Sequence, residues 1–172
     1  MSRLIDFYRG TAKDSAGRTL ADIWAYPDAQ MESIHDFIQW LFPLTEPSRF
    51  NPYAPLLTDR EIAEFRSDAE LQKNLKRSLD VFLAFLGLRY QDGAVIPAAD
   101  FAAKSEIWLS RNHNWMRITR VLAGTRLLGL EDRSRAFYEF LKSLKDGGRS
   151  AIQDDTFEYW KQAAFGDREY NH

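Results

Sequence analysis

The stretch Met31 to Leu44, MESIHDFIQWLFPL, decides the fold, because it carries seven bulky apolar side chains ahead of a proline. Ile34, Phe37, Ile38 and Leu41 stand at i, i+3, i+4 and i+7, one stripe of an α-helix. The spacing predicts a helix from about Gln30 to Phe42 with that stripe on the core. Trp40 and Phe42 lie off the stripe, so the end of this helix reads as apolar over much of its circumference, touching neighbours on two sides. Pro43 disfavours helical geometry at Phe42 and has no N–H to donate, which ends the helix. His35, Gln39 and Phe42 share a flank, with His35 one turn from Gln39 and within reach of a hydrogen bond to it.

On the N-terminal side, RLIDFYR at 3–9 reads as a short helix stopped by Gly10, followed by a flexible polar loop, TAKDSAGR. Thr19 caps LADIWAY at 20–26, which Pro27 breaks. On the C-terminal side, Pro43, Pro47, Pro52 and Pro55 exclude regular helix over 43–57, while Phe50, Tyr53, Leu56 and Leu57 offer burial anchors, so this segment reads as a packed strap. Thr58 with Glu61 and Ser67 with Glu70 form two capping boxes, starting a short helix at 59–66 and a long one. In the long one Leu71, Leu75, Leu79, Phe82, Leu83 and Leu86 recur at helical spacing up to Gly87. QDG at 91–93 signals a turn before a short extended piece at 94–97, and Asp100 is expected to cap a helix through Ser110. Asn112 or Asn114 caps the next helix, with Trp115, Ile118, Leu122 and Thr125 inward. A further helix covers Leu130 to Lys145, and a last one starts near Ser150 and places Phe157, Trp160, Lys161 and Ala164 on one side. GDREYNH is expected to fray. No strand alternation organises the chain, which leaves an all-α bundle of about seven helical segments.

At 172 residues the chain is the size of one domain with a full core. Its 12 Phe, 7 Tyr and 5 Trp are spread along the length and argue against long disordered segments. The absence of cysteine excludes disulfides, thiolate metal sites and cysteine nucleophiles, and fits a reducing compartment. The charged N-terminus lacks the apolar core of a secretory signal, and the longest apolar run, VFLAFLGL at 81–88, is far short of the roughly 20 residues that span a bilayer. A cytoplasmic location follows as an expectation. With a formal net charge of −2, no global positive field recruits nucleic acid.

The most suggestive chemistry lies in RNHNWMRITR, 111–120. His113, Arg117 and Arg120 fall at i, i+4 and i+7 opposite Trp115 and Leu122, a cationic strip that Arg111 and Arg126 extend. An anionic group can dock there beside the helix N-terminus. The plain alternative is a solvated face, or arginines paired with some of the 25 acidic residues. Trp40, Phe42, Phe50 and Tyr53 form a candidate wall for an apolar or peptide ligand, with core filling as the plain alternative. His35 and His113, the two internal histidines, do not make a metal site without a third ligand, and neither HExxH nor ExxH spacing occurs. There is no GxSxG elbow, GxGxxG or P-loop.

IQWLFPL at 38–44, followed by Glu46, Pro47 and Asn51, resembles the central motif of the conserved region of the opioid growth factor receptor family. Phe7, Tyr8, Arg9 and Gly10 resemble its FYRG opening, LTDREIAEF at 57–65 its LTxxEIxxF stretch, and HNWMRITRVLAGTRLLGL at 113–130 its HNxxRITRxLxSLxxLGL segment. The resemblance spans about residues 4–142. Animal members are described as receptors for an enkephalin peptide, associated with the nucleus and with restraint of cell proliferation, and the resemblance implies no catalytic residues. No basic nuclear-localisation run is present. The expectation is therefore a single all-α domain over 1–172 that acts as a binding module for a peptide or a small anionic ligand. Its site is expected at His35, Gln39, Trp40, Asn112, His113, Asn114, Arg117 and Arg120, with no cofactor, metal or nucleic-acid partner. An enzyme using His35 or His113 as acid or base, and a scaffold or oligomerising domain, stand as alternatives.

Overall fold

The longest apolar periodicity becomes the longest helix. In the computed structural model, which describes residues 2–148 and 150–166, α6 runs Ala69–Phe85 and buries Leu71, Leu75, Leu79, Phe82 and Leu83. Before it come α1 (Arg3–Tyr8), α2 (Leu20–Trp24), α3 (Asp28–Ser33), α4 (Ile38–Leu41) and α5 (Asp59–Ser67). After it come strands β1 (Leu88–Gln91) and β2 (Ala94–Pro97), a 3-10 helix (Ala102–Trp108), α7 (His113–Leu127), α8 (Glu131–Asp146) and α9 (Asp154–Phe165). The predominantly helical architecture is the expected one. The tail beyond Gly166 lies outside the described residues.

Three of the helix readings change, and the extended piece at 94–97 finds a partner. The single helix of 30–42 is two, α3 and α4, separated by an extended Ile34 (φ −95°, ψ 127°). Asp68, not Ser67, caps α6 by accepting from the Leu71 amide, while the Ser67 hydroxyl turns back to the Ala63 carbonyl. Asp100 caps nothing; it pairs with Lys104 at 2.9 Å, and the segment after it is the 3-10 helix. The extended piece at 94–97 is one arm of an antiparallel hairpin in register Leu88 with Pro97 and Gln91 with Ala94. Its two-residue turn needs positive φ at both positions, supplied by Asp92 (52°) and Gly93 (82°).

The TAKDSAGR loop is pinned rather than flexible. Asp14 is buried and accepts from the amides of Ala16 and Arg18 and from the Arg18 guanidinium, which reaches on to Asp36 at 2.7 Å.

The four family-like motifs are one another's packing partners. Phe7 meets Trp40 edge-on at 5.2 Å and Tyr8 meets Phe65 at 5.0 Å. The Tyr8 hydroxyl donates to the Leu41 carbonyl, shares Ser78 with the Trp24 indole, and has its pKa raised by burial. Gly124 lets α7 lie against Phe42, since a Cβ there would stand 3.1 Å from the Phe42 Cβ. Tyr8→Phe removes the donor and leaves a buried carbonyl unsatisfied, and is expected to cost about 1–3 kcal/mol in urea unfolding.

Arg9 of the FYRG motif ion-pairs with Glu64, Asp68 and Glu70 across α5 and α6. The hydrogen bond from Arg9 holds the Asp68 carboxyl below its ordinary value of 3.8. A depressed folded-state pKa contributes stability above the unfolded value, lost as pH falls below it. The urea midpoint is thus expected to drop with acid below about pH 4 less steeply in Arg9→Gln than in the unaltered chain.

Candidate functional site

Two backbone accidents build the site. The break after Ser33 leaves the carbonyls of Met31 and Ile34 without helical partners, and Pro43 leaves that of Phe42 in the same state. All three are satisfied by one face of α7. Arg117 is 5% exposed; its Nη1 donates to the Met31 carbonyl and its Nη2 to that of Ile34, both at 2.7 Å. Arg120, one turn later, donates Nη1 to the Phe42 carbonyl at 3.1 Å. The guanidinium of Arg117 also lies 5.4 Å from the centre of the Phe37 ring.

The plain alternatives divide the strip: Arg111, exposed, pairs with Asp155 at 2.9 Å and His113 contacts Glu32, whereas Arg117 and Arg120 turn inward and, among the described residues, ion-pair with no carboxylate. Burial alone lowers the Arg120 pKa; for Arg117 burial leads and Glu32 works against it. Both stay charged at neutral pH.

Around them the two histidines meet edge-on at 4.9 Å. His35 Nδ1 lies 3.4 Å from Arg117 Nη2. Arginine cannot accept, so neutral His35 accepts at Nδ1 and carries its hydrogen on Nε2. Partial burial, then Arg117 and His113, push the His35 pKa below 6.5. His113 Nε2 contacts Glu32 at 3.0 Å, and the other Glu32 oxygen accepts from Asn114. Asn112 accepts from the Asn114 amide and so caps α7.

His35, Gln39, His113, Arg117 and Arg120 line one groove of about 340 Å³ between α4, the strap and α7. Its apolar walls include Ile38, Leu44, Met116 and Phe50, and the last two are 57% and 71% exposed. Gln39 is held by Asn51 at 3.4 Å and has no bond to His35. The groove continues past Met116 into a second cleft lined by Trp115 and Tyr159 of α7 and α9. Of the other expected residues, Asn112 borders that second cleft, while Trp40 and Asn114 are placed elsewhere. Trp40 is buried against Phe7 beneath Arg3 and borders a different cleft with Tyr53; Asn112 and Asn114 work as cap and carboxylate partner.

Met116 and Glu32 lie outside the expected site, while Phe50, expected only as part of an aromatic wall, lines the groove. Met116 had a legible signal, since 113, 116 and 120 share the helical face of the strip. Nothing near Glu32 in sequence points to His113. Among the described residues no group of three His, Cys, Asp or Glu is placed to hold a metal ion, and no helix is long and apolar enough to cross a membrane.

The profile of the opioid growth factor receptor (OGFr) conserved region matches residues 6–171, and the chain belongs to that family. Among individual relatives, the opioid growth factor receptor of Mus musculus is 40% identical over 135 residues, 76% of this chain and 21% of the mouse protein. The Homo sapiens receptor is 41% identical over 104 residues, 59% of this chain and 15% of that one. Opioid growth factor receptor-like protein 1 of Mus musculus is 30% identical over 141 residues, 80% of this chain and 30% of its own length. The chain thus spans at most 30% of these relatives. No solved structure matches it.

Proposed function

We propose that this domain is a cytoplasmic binding module whose groove, between α4, the strap and α7, takes a peptide or a small anionic ligand. One observation carries the reading. Two desolvated guanidinium groups that pair with no carboxylate among the described residues stand beside the exposed Phe50 and Met116, so an anionic group and an apolar side chain find complementary ground within one groove. The names of the mouse and human relatives, receptors for a growth factor, fit recognition rather than turnover.

The test is a thermal-shift panel of short acetylated peptides that pair Asp or Glu with Leu, Met or Phe. A ligand selective for the native state raises the melting temperature. Phe50→Ser and Met116→Lys alter exposed side chains, so both variants are expected to fold and to lose that rise. No rise with any peptide, or a rise that survives both substitutions, contradicts the proposal.

A second reading, acid or base catalysis, is favoured by the Glu32 to His113 contact at the groove edge. Esterase turnover above the solvent rate that disappears in His113→Ala would support it; the same rate in both proteins would remove it.

A further inference from the structure

We infer that the end of the groove lined by His35, Arg117 and Arg120 is an oxyanion subsite that takes up a proton on His35 as it takes up its anion. The inference rests on the groove being a ligand site and says what chemistry its polar end demands.

Arg117 has spent its two terminal nitrogens on neutral acceptors, the carbonyls of Met31 and Ile34 and the Asn114 side chain. Among the described residues its buried charge has no direct counterion, and Arg120 beside it has the Phe42 carbonyl alone. Buried charge of one sign attracts an ion of the other. His35 senses the same imbalance. Its Nδ1 accepts from Arg117 only while unprotonated; a hydrogen there would set two donors against each other at 3.4 Å. An oxyanion between them accepts from both. The proton comes from solvent, the anion arrives with its charge, His35 Nδ1 turns from acceptor to donor, and Arg117 exchanges one hydrogen-bond acceptor for another.

The remaining charged groups around His35 are already committed or lie at the rim. Glu32 is held by His113 and Asn114, and Asp36 by Arg18. Glu46 and Arg49 line the strap side of the groove with opposite charges. The depressed pKa of His35, with Arg117 and His113 among its causes, agrees with this geometry. By linkage, whatever anion relieves that repulsion must bind more tightly when His35 is protonated.

Sulfate and acetate are the probes, because each keeps its charge between about pH 5.5 and pH 7.5; sulfate stands for a phosphate-type group and acetate for a carboxylate. Histidine ring resonances of the whole chain are followed by NMR through pH titrations with and without each ion. The expected result is a higher His35 midpoint in the presence of one of them, with that ion bound about five- to tenfold more tightly at the acid end. Which ion does so identifies the group. His35→Gln should flatten the pH dependence, whereas His113→Gln should leave a dependence in place.

Anion binding that moves the groove resonances but not the His35 midpoint overturns the proton uptake and leaves the groove a ligand site. A dependence that vanishes in His113→Gln and survives in His35→Gln overturns the assignment to His35. Neither ion disturbing the groove removes the oxyanion subsite, while the peptide panel still decides whether the apolar part binds.

Discussion

Arg117→Met is expected to lower stability by about 2–4 kcal/mol, although it removes a buried cation. The methionine fills much of the volume but donates nothing, so the carbonyls of Met31 and Ile34 lose their partners together. Each buried unsatisfied acceptor costs about 1–3 kcal/mol, and recovering the desolvation of the guanidinium offsets part of the sum. Urea unfolding measures the total. Native-state hydrogen exchange locates it, with faster exchange expected at residues 34–37 and little change in α6. Arg117→Lys is not expected to restore stability, because one ammonium cannot span two carbonyls that a planar fork reaches at 2.7 Å each.

The other large effect is expected at the far side of α7. Trp160 is fully buried, meets Trp115 edge-on at 6.0 Å, and donates its indole N–H to the Trp115 carbonyl at 3.1 Å. Trp160→Ala should cost about 3–5 kcal/mol, the range for emptying a large aromatic site in a core. The loss should appear as a lower urea midpoint with an unchanged slope if α9 unfolds with the rest of the domain. A separate early transition, with α6 intact, would show instead that α9 docks as an independent unit.

Both substitutions bear on what the residue pattern could reveal. The long helices were legible because spacing alone reports them: Leu71 to Leu83 in α6 and Trp115 to Thr125 in α7 face inward as their period requires. The break at 34–37 was not legible. Phe37, Ile38 and Leu41 are buried with or without a continuous helix, so the stripe is satisfied either way. What stabilises the break is Arg117, 83 residues from Ile34, a tertiary hydrogen bond that local spacing cannot report. Of the hairpin, the QDG turn and the arm at 94–97 were legible, but the first arm is four residues, too short for alternation to register.

The site divides similarly. Same-face spacing placed His113, Arg117 and Arg120 together, and the flank of His35 and Gln39 does border the same groove. Residue type alone could not divide the aromatic wall: Phe50 is exposed and lines the groove, Tyr53 is exposed at a different cleft, and Trp40 and Phe42 are buried. The arginines hold two roles at once. They satisfy the carbonyls that the helix break and Pro43 release, and they leave positive charge at the wall of a groove. Family motifs that read like a binding signature are therefore first of all folding contacts, and HNWMRITR serves IQWLFP through Arg120 and the Phe42 carbonyl.

The most direct test of the groove as a ligand site is amide NMR mapping of the full chain against the acidic and apolar acetylated peptides. The expected result is a set of perturbed resonances confined to Gln39, Phe50, His113, Met116 and Arg120, absent in Phe50→Ser. Perturbation centred instead on Trp40, Tyr53 and Arg60, which border the separate cleft beside α1, or no perturbation by any peptide, would contradict it.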